Sequence, residues 1–558
     1  RERGITILAK NTAIHYKDYK INIMDTPGHA DFGGEVERIM HMVDGVLLVV
    51  DAYEGTMPQT RFVLKKALAA HVKPIVVINK VDRPVVRIQE VMDEVLELFM
   101  ELGADDNQLD FPTVFVSALN GTSSLDPDIS TQVPNMDCLF DMIINEIPAP
   151  AVDVGGGLQL QPALLDYNDY VGRIGIGRIQ RGSIKVNENV VCLRADGSKT
   201  QFRVQKLFSY LGMHRFEVEE ASAGDIVAVA GLADIGVGET ICEPSCEEAL
   251  PLLHVDEPTI QMIFGTNTSP FAGQDGKFVT ASKIEERLFK ETNKDVSLKV
   301  ERIQNKEEWM VSGRGELHLS VLIENMRREG YEFAVSKAEV LYHTDEKGKK
   351  LEPMELAYVD VPDEFTGAVI DKLSQRKGDL LNMGPISGGY TRLEFNIPSR
   401  GLIGYRGEFL TDTKGNGIIN TIFNDYAPYK GDIQYRKQGS LIAFESGESV
   451  TYGLFSAQER GTLFIGPGEK VYSGMVIGQC AKAEDIELNV CKKKHLTNTR
   501  SSSADEALTL TPPKILSLEQ ALDFIDTDEL LEVTPESLRI RKRILDPTMR
   551  KRANMRNK

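Results

Sequence analysis

The stretch Asp25-Thr26-Pro27-Gly28-His29 brings a carboxylate, a hydroxyl, a glycine and an imidazole together within five residues, directly after Ile21-Asn22-Ile23-Met24. A carboxylate at a strand end can hold Mg²⁺ through water, and a glycine just beyond it lets a backbone N–H approach a terminal phosphate closely. His29 would then face the attacking water. A second cluster, Asn79-Lys80-Val81-Asp82, follows Ile75-Val76-Val77-Ile78. Its amide and carboxylate can read a guanine edge, because the Asp82 carboxylate accepts from the ring N–H and the exocyclic amine that guanine presents, while the Lys80 stem lies along the ring. Ser117-Ala118-Leu119, after Val114-Phe115-Val116, can finish such a pocket with backbone donors.

These clusters need a frame that brings strand ends together. Apolar runs leading into Asp25, Asp51, Asn79 and Ser117 alternate with helix-like segments near 60 to 70 and 88 to 102. Continuous apolar strands alternating with helices indicate a parallel sheet covered on both faces, in which ligands sit at the carboxyl ends of the strands. A strand ending in Asp is commonplace; the order of the clusters, their strand-end placement and the 54-residue gap from Asp25 to Asn79 together point to a nucleotide switch.

The rest of the chain changes character near residue 150, where Pro148-Ala149-Pro150 and Gly155-Gly156-Gly157 bracket a linker. Short alternating strands over 160 to 250 favour a small antiparallel barrel. Residues 257 to 340 mix strands with two helices, the second with Leu319, Leu322, Ile323 and Met326 at the spacing of a buried face. His318 on that helix reads as a packed structural histidine. A similar unit spans roughly 352 to 430, its helix stopped by Gly378 in a left-handed cap. Beyond it, Ser517 and Gln520 form a capping box ahead of Leu518, Ala521, Leu522 and Ile525. Lys492-Lys493-Lys494-His495-Leu496-Thr497-Asn498-Thr499-Arg500 concentrates cations and hydroxyls suited to phosphate and 2′-OH contacts, the alternative being a surface loop without a partner. Residues 539 to 558 hold nine Lys or Arg against the single acid Asp546, which fits local RNA contacts or a solvated tail equally.

The clusters resemble the translation-factor GTPases. By that resemblance Arg3-Gly4-Ile5-Thr6-Ile7 looks like the end of the first switch, with Thr6 a Mg²⁺ ligand and Ile5 part of an apolar gate. Asp25 matches the water-mediated Mg²⁺ residue, Gly28 the γ-phosphate sensor and His29 the histidine that orients the hydrolytic water. Asn79, Lys80, Val81 and Asp82, with Ser117, Ala118 and Leu119, match the guanine pocket. The family's phosphate loop, G-x-x-x-x-G-K-[ST], has no match anywhere in the chain: Gly276-Lys277 is followed by Phe278 and preceded at the required position by Phe271. The expectation is that this loop lies upstream of Arg1 and that a fragment without it is inactive. Gly172 to Gly182 is similar to the second domain of translation factors, and Ser312 to Leu319 to the third domain of elongation factor G. Ser399 to Arg406 and Thr413 to Gly417 resemble the BipA (TypA) and LepA families. Gln458-Glu459-Arg460-Gly461 and Lys493 to Asn498 are similar to the C-terminal domain peculiar to BipA (TypA).

The fold class expected is multidomain α/β and β: a P-loop-type GTPase domain, N-terminally truncated, over 1–150; a β-barrel over 151–252; two ferredoxin-like α+β sandwiches over 253–345 and 346–430; and a β-rich C-terminal RNA-binding domain over 431–558. The resemblance implies a ribosome-dependent GTPase that uses GTP, GDP and Mg²⁺ in large-subunit assembly and in translation under stress. Its implied partners are rRNA, ribosomal proteins and A-site tRNA, and it is expected to be a cytoplasmic monomer. RNA contacts are expected from Lys492, Lys493, Lys494, His495, Asn498, Arg500, Arg541, Lys542 and Arg543. A LepA-like GTPase, or a non-hydrolysing RNA-binding assembly protein with a vestigial nucleotide domain, stays open.

Bulk properties bound these readings. The net charge of −19 argues against broad nucleic-acid binding, so any RNA contact must be local. No apolar stretch approaches the roughly 20 residues needed to span a bilayer. Six scattered cysteines fit a reducing cytosol, and Cys242 and Cys246 lack a second pair at zinc spacing.

Overall fold

The computed structural model describes residue 6 and residues 9–253, 255, 257–386, 389–433, 436, 438–493 and 509–556. Two compact units emerge: Arg1–Asp256 with Glu291–Ser297, and Glu257–Lys290 with Leu298–Lys558.

The first unit opens with strands β1 (Lys10–Tyr16) and β2 (Tyr19–Asp25), followed by helix α1 (Gly33–Met40). Next come β3 (Gly45–Asp51), α2 (Pro58–Ala69), β4 (Lys73–Asn79), α3 (Ile88–Glu101), α4 (Asp106–Leu109), β5 (Thr113–Ser117), β6 (Thr122–Ser124) and α5 (Asp137–Glu146). Strands β3, β4 and β5 run parallel and β6 closes the edge antiparallel. The run Ile75-Val76-Val77-Ile78 is buried on both faces because successive side chains alternate: Val76 and Ile78 meet Leu64, Leu68, Val95 and Phe99 of α2 and α3. Ile75 and Val77 face Leu139 and Ile143 of α5. Each fully buried aliphatic side chain here contributes about 1.5–3 kcal/mol.

One expectation is corrected. Among the described residues the strand ending in Asp25 does not pair with the parallel sheet; it pairs antiparallel with β1, Tyr16 opposite Tyr19 and Lys10 opposite Asp25. The two-residue turn explains the local choice, since Lys17 adopts a left-handed φ of 52°, as a tight hairpin requires. Among the described residues strand β3 lies at the edge of the parallel sheet, with Val49 56% exposed.

The hairpin and α1 are bolted to an antiparallel β domain. Lys20 pairs with Asp225 at 2.8 Å, Arg178 with Asp44 at 2.9 Å, and the Arg38 Nε–H donates to the Ala163 carbonyl at 3.0 Å. That domain is an eight-stranded sheet in the order Lys199–Arg203, Asn189–Leu193, Thr240–Cys242, Gln159–Asn168, Gly172–Arg181, Ile226–Ala230, Lys206–Leu211, His214–Glu217. Its glycine-rich strand has a steric cause: a Cβ on Gly177 would lie 2.0 Å from the Gln161 carbonyl oxygen of the neighbouring strand.

In the second unit, strands Lys299–Arg302, Glu308–Gly313, Ile260–Gly265 and Phe333–Ser336 form a sheet under helix Glu316–Arg328, whose Leu319, Leu322, Ile323 and Met326 are buried. His318 is structural as expected: its Nδ1 accepts from the Arg314 amide at 3.1 Å. The sheet does not stop at residue 345. Strand Phe333–Ser336 pairs with Glu529–Val533, which pairs with Leu538–Lys542, so the C-terminal segment completes the third-domain sheet.

The second helix-on-sheet layer is built on strands Lys350–Pro362, Tyr390–Pro398, Asp379–Ile386 and Ile418–Pro428. Its helix Thr366–Gln375 ends as the sequence indicates, but the left-handed residue is Lys377, φ 67°, rather than Gly378. Glycine at 378 is needed for a different reason: a Cβ there would meet the Leu373 carbonyl oxygen at 3.0 Å.

Helix Leu518–Phe524 is capped by the predicted box, the Gln520 amide donating to Ser517 Oγ at 3.2 Å. Asp523 on it is half-buried, and the loss of hydration pushes its carboxyl up to about 6, although Arg406 and Arg376 pull the other way and Glu519 adds to the rise. An acid with a raised folded-state value destabilises above that value and ceases to do so below its unfolded value near 4. Asp523→Asn is therefore expected to stabilise the protein by on the order of 1–2 kcal/mol above pH 6, the gain vanishing as pH falls to about 4. Denaturant melts across that range check it; a pH-independent difference would contradict it.

Candidate functional site

Register places the strand ends in a row. Asp51 lies opposite Asn79, and Asn79 opposite Val116, so Asp51, Asn79 and Ser117 share the carboxyl edge of the parallel strands. The Asn79 side chain ties two loops together: its Oδ1 accepts from the Lys80 amide at 2.8 Å and from the Ala118 amide at 3.1 Å. With the oxygen committed to protein donors, Nδ2 is the end that can donate to a ligand. The Ala118 amide is thereby spent on Asn79, which corrects its expected role as a backbone donor to the base. Ser117 is likewise inward: it is buried, and its Oγ accepts from the Asn120 amide at 3.3 Å. Val81 is buried and its amide donates to the Val116 carbonyl at 3.4 Å, anchoring the loop. Asp82 and Leu119 are exposed, and Asp82 has no hydrogen-bond partner among the described residues.

Asp51 is the residue that motif reading passed over. Its Oδ2 holds the Lys80 ammonium at 2.7 Å, while Oδ1 accepts from the amides of Tyr53 at 2.9 Å and Glu54 at 3.2 Å. Burial alone would raise the Asp51 carboxyl; the Lys80 ammonium and the two amides outweigh it and hold it below the usual carboxylate range. Lys80 sits at a left-handed φ of 65°, so its direction depends on this anchor. Asp51→Asn is expected to weaken guanine-nucleotide binding roughly tenfold, about 1.4 kcal/mol. Fluorescent-nucleotide titration checks this, and Lys80→Gln in the same background should add nothing if Asp51 acts through Lys80.

The other cluster sits beside the start of α2. Asp25 ends β2, exposed and without an ion pair among the described residues, and the Thr26 hydroxyl donates to the Met24 carbonyl at 3.0 Å. A Cβ on Gly28 would lie 3.7 Å from Gln59 Cβ, so the loop leans on the first turn of α2, which follows β3 at the same sheet edge as Asp51. Close approach continues at Gly33, where a Cβ would meet the Phe62 ring at 3.0 Å.

His29 is held by its own loop. Its Nδ1 accepts from the Asp31 amide at 3.2 Å, and its ring meets Phe32 edge-on with centroids 6.5 Å apart. An accepting Nδ1 leaves the proton of neutral imidazole on Nε2. That N–H can hold a water by its oxygen, and the Asp31 carboxylate lies 3.6 Å from Nδ1. Thr6 is partly exposed. Ile5 lies outside the described residues.

At the C-terminal end two expected RNA-contact residues are corrected. Arg541 and Lys542 are only 3% and 1% exposed. Arg541 donates to Thr268 Oγ1 at 3.0 Å, and the Lys542 ammonium meets Asp528 at 2.9 Å and Glu529 at 3.0 Å, with Asp485 also in contact. Burial in the strand holds both cations, Arg541 on the Thr268 hydroxyl and Lys542 on internal carboxylates, so neither can reach a phosphate. Lys492, Lys493 and Arg543 are exposed. Lys494, His495, Asn498 and Arg500 lie outside the described residues.

A guanine-type loop pair beside a histidine-bearing loop, followed by an antiparallel β domain and two helix-on-sheet layers, is the architecture of the translation-factor GTPases. Residues 1–149 match the elongation factor Tu GTP binding domain, 172–242 elongation factor Tu domain 2, 278–337 elongation factor G domain III, 349–437 the elongation factor G C-terminus and 438–547 the TypA/BipA C-terminal domain. The large ribosomal subunit assembly factor BipA of Bacillus subtilis (strain 168) is 54% identical over 559 residues, covering 100% of this chain and 91% of that protein. The proteins of the same name from Salmonella typhimurium and Haemophilus influenzae are 53% and 54% identical over 555 residues, covering 99% of this chain and 91% and 90% of theirs. The chain belongs to the TypA/BipA family. The match at 438–547 decides against the LepA alternative. Among the described residues, no helix is long and apolar enough to cross a membrane.

Proposed function

We propose that this chain is a ribosome-dependent GTPase acting in assembly of the large ribosomal subunit and in translation under stress. The observation that carries the reading is the Asn79 side chain clasping both the Lys80 and Ala118 amides, which preforms a guanine-reading loop pair. Asp82 accepts from the guanine N–H groups, Asn79 Nδ2 donates to the base, and the Lys80 stem lies along it. Gly28 approaches the terminal phosphate, and His29 Nε2 orients the hydrolytic water, with Ile5 assigned to the apolar gate. Little covalent chemistry is asked of the protein, since phosphoryl transfer rests on positioning and charge stabilisation. An exposed, unpaired carboxylate at a strand end fits a hydrated divalent cation, so Asp25 through water and Thr6 directly would hold Mg²⁺, which neutralises charge on the phosphate oxygens.

Lys492, Lys493 and Arg543, with Lys494, His495, Asn498 and Arg500, are assigned to rRNA and A-site tRNA contacts by a monomeric, cytoplasmic factor that also meets ribosomal proteins. Since no residue run of the sequence supplies G-x-x-x-x-G-K-[ST], a polypeptide starting at Arg1 should bind GTP weakly and barely hydrolyse it. GTP turnover by the native protein, measured with and without ribosomes, tests the function. Stimulation by ribosomes is expected; equal turnover would overturn it.

A further inference from the structure

Asp51, at the end of β3, anchors Lys80, and the loop that follows it is gripped from both sides. Asp51 Oδ1 accepts from the amides of Tyr53 and Glu54 at 2.9 and 3.2 Å. The carbonyls of the same two peptide groups point the other way, to one residue. The Arg87 amide donates to the Ala52 carbonyl at 3.0 Å, and the Arg87 Nε–H donates to the Tyr53 carbonyl at 2.5 Å. Its Nη2 donates to the next carbonyl, that of Glu54, at 3.2 Å. Peptide groups 52–53 and 53–54 therefore each meet Arg87 through the carbonyl and Asp51 through the N–H.

The guanidinium is itself fixed. Nη1 donates to Glu94, and to Glu90 at 3.4 Å, while the second Glu94 oxygen accepts from the Thr56 amide at 3.3 Å. Arg87 immediately precedes α3, whose Val91, Val95, Leu98 and Phe99 are buried in the core, so the clamp stands on a rigid element. Opposite the fork there is no room for a side chain: Gly55 has a left-handed φ of 75°, and a Cβ there would lie 2.8 Å from Arg87 Nη2 and 2.1 Å from Glu94 Oε2. An ion pair with Glu90 or Glu94 would need none of the three carbonyl contacts, which fix a backbone path instead.

We propose that Arg87 is a positioning residue of the guanine pocket, acting through two peptide groups and Asp51 to aim Lys80 along the base. The inference rests on the nucleotide reading above. Lys80 has a left-handed φ of 65°, and the Asp51 carboxylate holds its ammonium at 2.7 Å. Without the fork, the Tyr53 carbonyl loses its partner, the peptide group can rotate, and the Glu54 amide leaves Asp51 with it. Each hydrogen bond in such a chain polarises the next, so loss at one end is felt at the other. The relay ends on Lys80 and not on His29, so the change falls on nucleotide affinity rather than on the chemical step.

The test is titration of the native protein with fluorescent GDP, beside ribosome-stimulated turnover, for wild type, Arg87→Met and Arg87→Lys. Arg87→Met should bind GDP about fivefold more weakly and raise the KM for GTP by the same factor at unchanged kcat. Arg87→Lys keeps a charge beside Glu94 but cannot serve two carbonyls and a carboxylate in one plane, so it should bind as weakly. It also supplies the answer should a thermal melt show Arg87→Met unfolded. Added to Asp51→Asn, either substitution should cost nothing more, because both cut one path. Wild-type affinity in either variant, a change in kcat alone, or a loss that adds to that of Asp51→Asn would overturn the assignment. Wild type that fails to bind guanine nucleotide would overturn the nucleotide reading instead.

Discussion

His29→Ala is expected to slow ribosome-stimulated GTP hydrolysis by about a hundredfold or more while leaving nucleotide affinity nearly intact. The asymmetry follows from the hydrogen bonds. Nδ1 accepts from the Asp31 amide, which leaves Nε2 as the nitrogen that, in the proposed site, would orient water rather than hold the nucleotide. An interaction realised only as water attacks lowers turnover without changing ground-state binding. Single-turnover hydrolysis on ribosomes, beside fluorescent GDP and GTP titrations, separates the two quantities. Turnover that survives the substitution would remove His29 from the site; a matching loss of affinity would make it a binding residue.

Asp82→Asn should cost on the order of a hundredfold in GTP affinity, because the lost carboxylate leaves the guanine ring N–H and exocyclic amine without an acceptor. The amide that replaces it can donate to a carbonyl at the same place, so affinity for xanthosine nucleotides should rise. This gain distinguishes base reading from damage to the loop: Asp82 is exposed and bonds to nothing among the described residues, so the fold has no stake in it. A variant that weakens both bases alike would remove the residue from base recognition.

What the sequence disclosed and what it hid divide along the range of the interactions. Asp25, Asn79 and Ser117 were legible because each ends an apolar run, and strand followed by polar turn is a local pattern. The capping box at Ser517 and the buried stripe from Leu319 to Met326 were legible for the same reason. Asp51 ends an apolar run too, but its task depends on Lys80, a side chain from the neighbouring strand's loop, and no local pattern records that meeting. Counting charges misjudged Arg541 and Lys542, since the carboxylates that absorb Lys542 include Asp485, distant in sequence. The same distance concealed the extension of the third-domain sheet, where Phe333 pairs with Val533 across two hundred residues. The β1–β2 hairpin shows the reverse case: the apolar run Ile21 to Met24 has the pattern of a parallel strand, and a two-residue turn gives it a nearer partner.

The most direct test is the structure of the native protein bound to the ribosome with a non-hydrolysable GTP analogue. The Asp82 carboxylate should lie on the Watson–Crick edge of the guanine, with His29 Nε2 within hydrogen-bond reach of a water in line with the γ-phosphate and Asp25 on the metal side of the phosphates. A nucleotide bound away from the Asn79 loop, or a histidine remote from the terminal phosphate, would contradict a single site formed by Asp25, His29, Asn79 and Asp82.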